Sequence, residues 1–247
     1  MNLKNDQQIA LMRESGRLVA ETLDMLGDFV RSGVTTGDLD HIVEEYLRIH
    51  NATPSFKGYH GFTGSICASV NDEVVHGVPG GRKLNDGDII AIDVGAILNG
   101  WHGDSCRTYT VGNVDDESKR LMRVCEESLA IGIEYARAGN RLTDISYHIE
   151  QHVNAAGFSV VQNLFGHGIG RSMHEAPSLP HYGPPGAGPV LKPGLVFTIE
   201  PMIVAGSPDV RSLDDGWTIV TLDGSRSAQY EHIVAITGNG PMVLTLR

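Results

Sequence analysis

Cysteine is scarce in this chain. Its 247 residues hold three, Cys67, Cys106 and Cys125, and no two are spaced as C-x-x-C. So sparse and odd a set argues against a disulfide framework and a structural thiolate zinc site, and suits a reducing compartment. Basic residues are also short: 19 Lys plus Arg against 30 Asp plus Glu leave a net charge of −11. That balance argues against tight nucleic-acid binding, which needs a basic face. Long apolar runs are missing, and none approaches the ~20 residues of a membrane span. Met1-Asn2-Leu3-Lys4-Asn5-Asp6 has no apolar signal core, so cytoplasm is the expected location. What remains is 41% apolar residues and 30 glycines, the composition of a soluble globular protein.

Apolar periodicity then supplies elements. Ile9, Met12, Val19, Leu23, Leu26 and Val30 predict a helix over 6–32, stopped by Gly33. A second helix starts near Thr36, with Leu39, Ile42, Val43, Tyr46 and Leu47 on one face. A third covers 115–137, its acidic start suiting the helix dipole. A fourth covers 143–156, before Gly157. Strands are expected from Ile66 onward and over 159–164, 195–204, 217–222 and 230–236. The proline-rich stretch 176–194 reads as a surface loop.

The order helix, helix, strands occurs twice. A slide of 106 positions lays Asp38, Leu39, Val43, Glu44 and Leu47 on Asp144, Ile145, Ile149, Glu150 and Val153. A slide of 107 lays Leu84, Gly87, Ile92 and Asp93 on Leu191, Gly194, Ile199 and Glu200. A period of ~100 residues is too long for a solenoid. The expectation is a single α/β domain, 1–247, built from similar halves of about 1–113 and 114–247.

Several carboxylates sit in strands that look buried. Ile89–Gly95 is apolar except for Asp93, and Asn99-Gly100 then signals a two-residue hairpin. If Leu98 faces Trp101, Asp93 faces Cys106 and Gly95 faces Asp104. Asp93 and Asp104 then share a face, Cα atoms roughly 7–8 Å apart, and can reach one cation. An exposed polar ribbon is the plainer reading of the hairpin alone. Glu200 and Glu231 weaken it, because each repeats the pattern of one acid in an apolar strand. Desolvating an unpaired carboxylate costs several kcal/mol, so such acids are usually paired or metal-bound. His167, between Gly166 and Gly168, adds a nitrogen donor with room for close approach. One nitrogen among carboxylates suits Mn, Fe, Co or Zn. His148 and His152 have the spacing of a helical metal pair, but the glutamate between them, Glu150, is misplaced for H-E-x-x-H: it is two residues after His148 and points away from that face. His102 shares the face of Asp104 and is a candidate to support it.

Together these segments resemble type I methionine aminopeptidases over essentially the whole length. The matching pieces are His76-Gly77-Val78-Pro79, Ile92-Asp93-Val94, His102-Gly103-Asp104, Gly166-His167-Gly168-Ile169-Gly170, His174-Glu175-Ala176-Pro177, Ile199-Glu200-Pro201 and Gln229-Tyr230-Glu231-His232. No type II insertion is visible, so the likeness is to the compact bacterial form. The resemblance implies a pita-bread fold, with two pseudo-symmetric halves around a mainly antiparallel sheet flanked by helices. It implies removal of initiator methionine from nascent polypeptides. Two divalent ions would be held by Asp93, Asp104, His167, Glu200 and Glu231, with Asp104 and Glu231 shared between them. Glu200 would relay protons, while His174 and His76 would contact the substrate. Tyr59, Phe62, Cys67, Phe165, Met173 and Trp217 would form the methionine pocket. Asn71, Glu73 and Ser227 match a monovalent-cation position. The expected partners are chain ends with a free methionine amine, with transient ribosome contact, for a monomeric enzyme. The rival readings are an Xaa-Pro aminopeptidase or creatinase-like hydrolase of the same fold, a non-catalytic peptide-binding relative, and a two-metal phosphatase. The last would want an Arg or Lys clamp, which these motifs lack.

Overall fold

A computed structural model describes all 247 residues. Helix α1 (Asp6–Leu26) begins at Asn5, whose side chain accepts from the Gln8 N–H while the Gln8 side chain reaches back to the Asn5 N–H. It stops short of the expected 32, because the Asp28 and Phe29 N–H groups bond three residues back and tighten the chain into turns. Helix α2 (Thr36–Ile49) and helix α4 (Leu142–Ala155) have 14 residues each. Asp38 accepts from the Thr35 N–H at 2.9 Å, and Asp144 accepts from the Arg141 N–H at 2.7 Å. Those two aspartates met in the 106-residue slide because both close a helix N-terminus. Helix α3 (Asp116–Tyr135) is capped by Asp115, which accepts from the Ser118 N–H.

The first half carries β1 (Thr53–Pro54), β2 (Ile66–Val70), β3 (Glu73–Val75), β4 (Ile89–Leu98) and β5 (Trp101–Thr110). The second carries β6 (Ser159–Val160), β7 (Phe165–Gly168), β8 (Glu175–Pro180), β9 (Val196–Ile199), β10 (Met202–Val204), β11 (Val210–Ser212), β12 (Ile219–Thr221), β13 (Ser227–Gln229), β14 (His232–Thr237) and β15 (Gly240–Val243). Every ladder is antiparallel, and the strands form four sheets rather than one. The expected strand over 195–204 breaks at Glu200-Pro201, where proline removes a donor, and the one over 230–236 begins only at His232, leaving Tyr230-Glu231 as a break between β13 and β14. Both breaks release a glutamate from its ladder. The expected loop 176–194 is corrected in part. Residues 175–180 form β8 despite Pro177 and Pro180, because β8 is the outer strand of the sheet β15-β14-β9-β7-β8.

Each half has its own apolar cluster. Leu18, Leu23, Leu39, Val43 and Leu47 of α1 and α2 pack on Ile66, Ile90, Ile92 and Val94. Leu121, Leu129, Ile145 and Ile149 of α3 and α4 pack on Phe197, Ile199 and Val234. Between them β5 meets the chain around Glu231. The Glu231 N–H donates to Cys106 O at 2.9 Å, and the Gln229 N–H donates to Thr108 Oγ1 at 3.0 Å. The carboxylates lie at this seam.

Candidate metal centre

β4 and β5 join through Asn99 and Gly100, both at positive φ (+54° and +76°), as a tight hairpin requires. Leu98 faces Trp101, Gly95 faces Asp104 and Asp93 faces Cys106, the register expected from sequence. Asp93 and Asp104 therefore share a face. This is no exposed ribbon: Asp104 is 3% exposed, and Ile92, Val94 and Cys106 beside the acids are buried.

β7 brings His167 to the same point. A Cβ on Gly166 would lie 2.5 Å from Thr198 O, and one on Gly168 2.4 Å from Ala176 O, so glycine alone lets β7 pack this closely. The His167 N–H donates to Thr198 Oγ1 at 2.8 Å. Its ring Nδ1 lies 3.0 Å from Gly168 O, which can only accept, so Nδ1 carries the proton and Nε2 is left as a lone-pair donor. His167 Nε2 is 3.7 Å from both Asp104 Oδ2 and Glu200 Oε1. Glu200 leaves β9 with Thr198 Oγ1 donating to its Oε1 at 2.7 Å and its own N–H donating to His181 Nε2 at 3.0 Å. Glu231 is 2% exposed, and ligand atoms of Asp104, His167 and Glu231 all lie within 4.8 Å of one another.

Burial dominates the electrostatics. It lifts Asp93 to about 7, while the neighbouring Asp104 carboxyl pulls the other way. It lifts Glu200 to about 8, with the Asp93 charge adding and the Thr198 bond opposing. Asp104 and Glu231 are pushed well above the usual carboxylate range by burial and by their acidic neighbours. Burial, and then the nearby His174, holds His167 down to about 4, so its ring is neutral. Asp93 Oδ1 and Asp104 Oδ1 are buried with no hydrogen-bond partner. No Lys or Arg lines the cavity above them. Four desolvated acids, two orphaned oxygens and a free imidazole nitrogen are the donor set a divalent cation satisfies.

The cavity measures about 190 Å³. All five proposed ligands line it, together with His76, His174, Tyr59, Phe62, Cys67, Phe165, Met173 and Trp217. Phe62 meets Trp217 edge to face at 5.1 Å, forming an apolar end with Cys67. Burial and the neighbouring acids push the Cys67 thiol well up, so it packs as a neutral group. Phe165 is 43% exposed and stands at the rim. The Tyr59 hydroxyl lies 2.7 Å from His174 Nδ1. His76 holds φ at +59°, a left-handed conformation that aims a non-glycine side chain at a cost.

Other residues singled out in the sequence lie elsewhere. His148 stacks on Tyr135, and His152 pairs with Glu127 at 3.1 Å. His102 turns to Ser55 Oγ at 2.9 Å rather than to a carboxylate. Asn71, Glu73 and Ser227 do come together, but their side chains bond within the protein: Asn71 to Asp88, Glu73 to the Val70 N–H and Arg82, Ser227 to Ile203 O. Phe56, Val75, Leu164 and Met202 complete the cavity wall without having been assigned to the site. Thr198 and His181 were also missed. Strand alternation from Glu200 gives Thr198 its shared face, whereas nothing local marks His181, which lies just beyond β8.

A buried acidic floor fit for divalent cations, histidines beside it and an apolar end chamber define a metal-dependent enzyme site. Residues 10–238 match metallopeptidase family M24. Methionine aminopeptidase of Clostridium perfringens is 55% identical over 244 residues, covering 99% of this chain and 98% of that protein. Methionine aminopeptidase 1 of Bacillus subtilis is 52% identical over 242 residues, covering 98% of each. The crystal structure of methionine aminopeptidase from Rickettsia prowazekii matches with a TM-score of 0.98 at 44% identity, over the full length of both chains. The chain belongs to metallopeptidase family M24 and has the pita-bread fold.

Proposed function

We propose that the protein is a methionine aminopeptidase, a metal-dependent exopeptidase that removes the initiator methionine from nascent polypeptides and prefers a small second residue. The observation that carries this reading is the placement of four buried carboxylates and His167 at the floor of a cavity whose far end is Phe62, Cys67 and Trp217. Two divalent ions, drawn from Co, Mn, Fe or Zn, would be held by Asp93, Asp104, His167, Glu200 and Glu231, with Asp104 and Glu231 shared. When bound, they supply an activated water and a polarised carbonyl.

The chain's own groups do the rest. Glu200, oriented by the Thr198 hydroxyl that donates to its Oε1, would take up a proton as general base and return it as acid. The Tyr59 hydroxyl lies 2.7 Å from His174 Nδ1; in the tautomer where the hydroxyl donates, His174 Nε2 carries the proton and would donate to the substrate carbonyl oxygen as charge develops there. His76 contacts the scissile amide on the leaving side. The methionine side chain fills the apolar end against Tyr59, Phe62, Cys67, Phe165, Met173 and Trp217. The acidic floor receives the free α-amine, which restricts cleavage to chain ends.

All five ligands come from one chain, which supports a monomer. No helix is long and apolar enough to cross a membrane, and the three cysteines are buried and unpaired. Both are compatible with a cytoplasmic enzyme meeting nascent chains by transient ribosome contact. A monovalent cation near Asn71, Glu73 and Ser227 belongs to the same reading, though their side chains already bond within the protein.

The deciding experiment measures free methionine released from Met-Ala-Ser and Met-Lys-Ser, and release from Xaa-Pro peptides, by the metal-loaded protein. Met-Ala-Ser is expected to be cleaved about a hundredfold better than Met-Lys-Ser. Cleavage of Xaa-Pro peptides alone overturns the reading in favour of the Xaa-Pro hydrolases. Equal cleavage of the two Met peptides removes the preference for a small second residue.

A further inference from the structure

His174 lies in a stretch with little backbone support. The N–H groups of Arg171, Ser172, Met173 and His174 make no backbone hydrogen bond, and β8 begins only at Glu175. Side-chain contacts hold it instead: Arg171 lies over the Trp101 ring, Met173 packs on Phe56, Phe62 and Cys67, and two contacts flank His174 itself. The Tyr59 hydroxyl fixes the ring at Nδ1. The second contact comes from the other end of the chain: Lys4 Nζ pairs with Glu175 Oε2 at 2.6 Å, across 171 residues.

This ion pair is built in. The Lys4 and Glu175 side chains are only 6% and 12% exposed. Lys4 Nζ also donates to Asn2 O at 3.1 Å. Two glycines make the room. A Cβ on Gly170 would lie 2.5 Å from Glu175 Oε1 and 2.8 Å from Lys4 Cε, and one on Gly194 would lie 2.7 Å from Lys4 O. The Lys4 N–H donates to Gly194 O at 2.7 Å, and Gly194 precedes β9, which delivers Glu200. Lys4 thus ties the segment bearing His174 to the turn feeding the strand before Glu200. Burial works against an ionised Glu175, but the Lys4 bond and charge, with the Ser172 backbone and the Asn2 side chain, together outweigh it and hold that carboxyl below its ordinary value.

We propose that Lys4 is a positioning residue for His174, acting through Glu175: the buried pair fixes where the His174 ring stands relative to the carboxylate floor. A buried ion pair is weak evidence for stability, since an apolar pair of like volume often does as well, and the place of this one beside His174 gives it a geometric role. The inference rests on the reading of His174 as a group that contacts substrate.

The test is a kinetic cycle on the metal-loaded enzyme with Met-Ala-Ser, each variant assayed well below its melting temperature. Lys4→Met is expected to lower kcat on the order of tenfold, with KM changed by less than about twofold. In a His174→Ala background the same substitution is expected to cost less than about twofold, because the ring it positions is gone. An equal loss in both backgrounds, or no loss in the parent, overturns the proposal. If Lys4→Met does not fold, Lys4→Met/Glu175→Gln, which leaves no unpaired buried charge, enters the same cycle with the same expectation. A His174→Ala variant with unchanged kcat overturns the reading of His174 itself, whereas a strong His174→Ala loss with an additive Lys4 loss overturns this inference alone.

Discussion

Asp93 and Glu200 are held to about 7 and about 8 against ordinary values of 3.8 and 4.5. Stripped of metal, the folded protein keeps protons on these groups that the unfolded chain has already released. The unfolded state binds fewer protons, so stability falls as pH rises toward the folded-state values. The buried histidines His167, His181 and His232, held to about 4, 3 and 4, act in the opposite sense below their ordinary 6.5. The informative window therefore lies above 6.5. Chelator-treated protein is expected to melt lower at a pH of about 8.5 than at about 6.5. A divalent cation replaces the protons, so metal binding should tighten over the same interval and narrow that gap. Thermal melts with and without metal check both. A stripped protein that gains stability over this window contradicts the placement of the acids in a desolvated cluster.

At the scale of elements, the active features depend on strands that come unusually close. A Cβ at Gly168 would meet the Ala176 carbonyl oxygen at 2.4 Å, and that backbone belongs to β8. Gly168→Ala is expected to cost about 1–3 kcal/mol and to lower the melting temperature, since β7 or β8 must shift. Gly81→Ala, where nothing lies within 4 Å, is the matched control and should melt close to the parent. Equal melting of the two variants would show that β7 has slack. The β4–β5 hairpin was legible to the residue because Asn99-Gly100 admits one tight turn and alternation does the rest. The helices were legible because their apolar stripes and caps are local, and the ends of α1 and α3 differ where turns and tertiary packing decide them. β8 was not legible, because proline argues against a strand until the sheet order shows it at the edge. His181 escaped for a related reason, since its partner Glu200 lies on another segment, whereas Thr198, two residues before Glu200, was within reach of strand alternation. The four acids proposed as ligands stood out because a carboxylate in an apolar strand is expensive wherever the strand ends up.

For the molecule as a whole, the halves contribute unequally to one site. Asp93 and Asp104 come from β4 and β5, while His167, Glu200 and Glu231 come from the second half. Each half keeps its own apolar cluster. The centre is thus a seam, and cations held there would tie the halves together and stabilise the fold by mass action. The pseudo-repeat was legible because α2 and α4 and two acid-bearing strands recur at nearly one offset, whereas division into four sheets depends on ladder breaks at the seam. The most direct measurement is a titration of chelator-stripped protein with Mn2+, following heat of binding and release of methionine from Met-Ala-Ser in parallel. Wild-type protein should bind metal and gain activity together, while His167→Ala and Glu231→Gln should lose affinity and activity in step. Full activity in the stripped protein, or unchanged metal affinity in both variants, would contradict a metal centre formed by these residues.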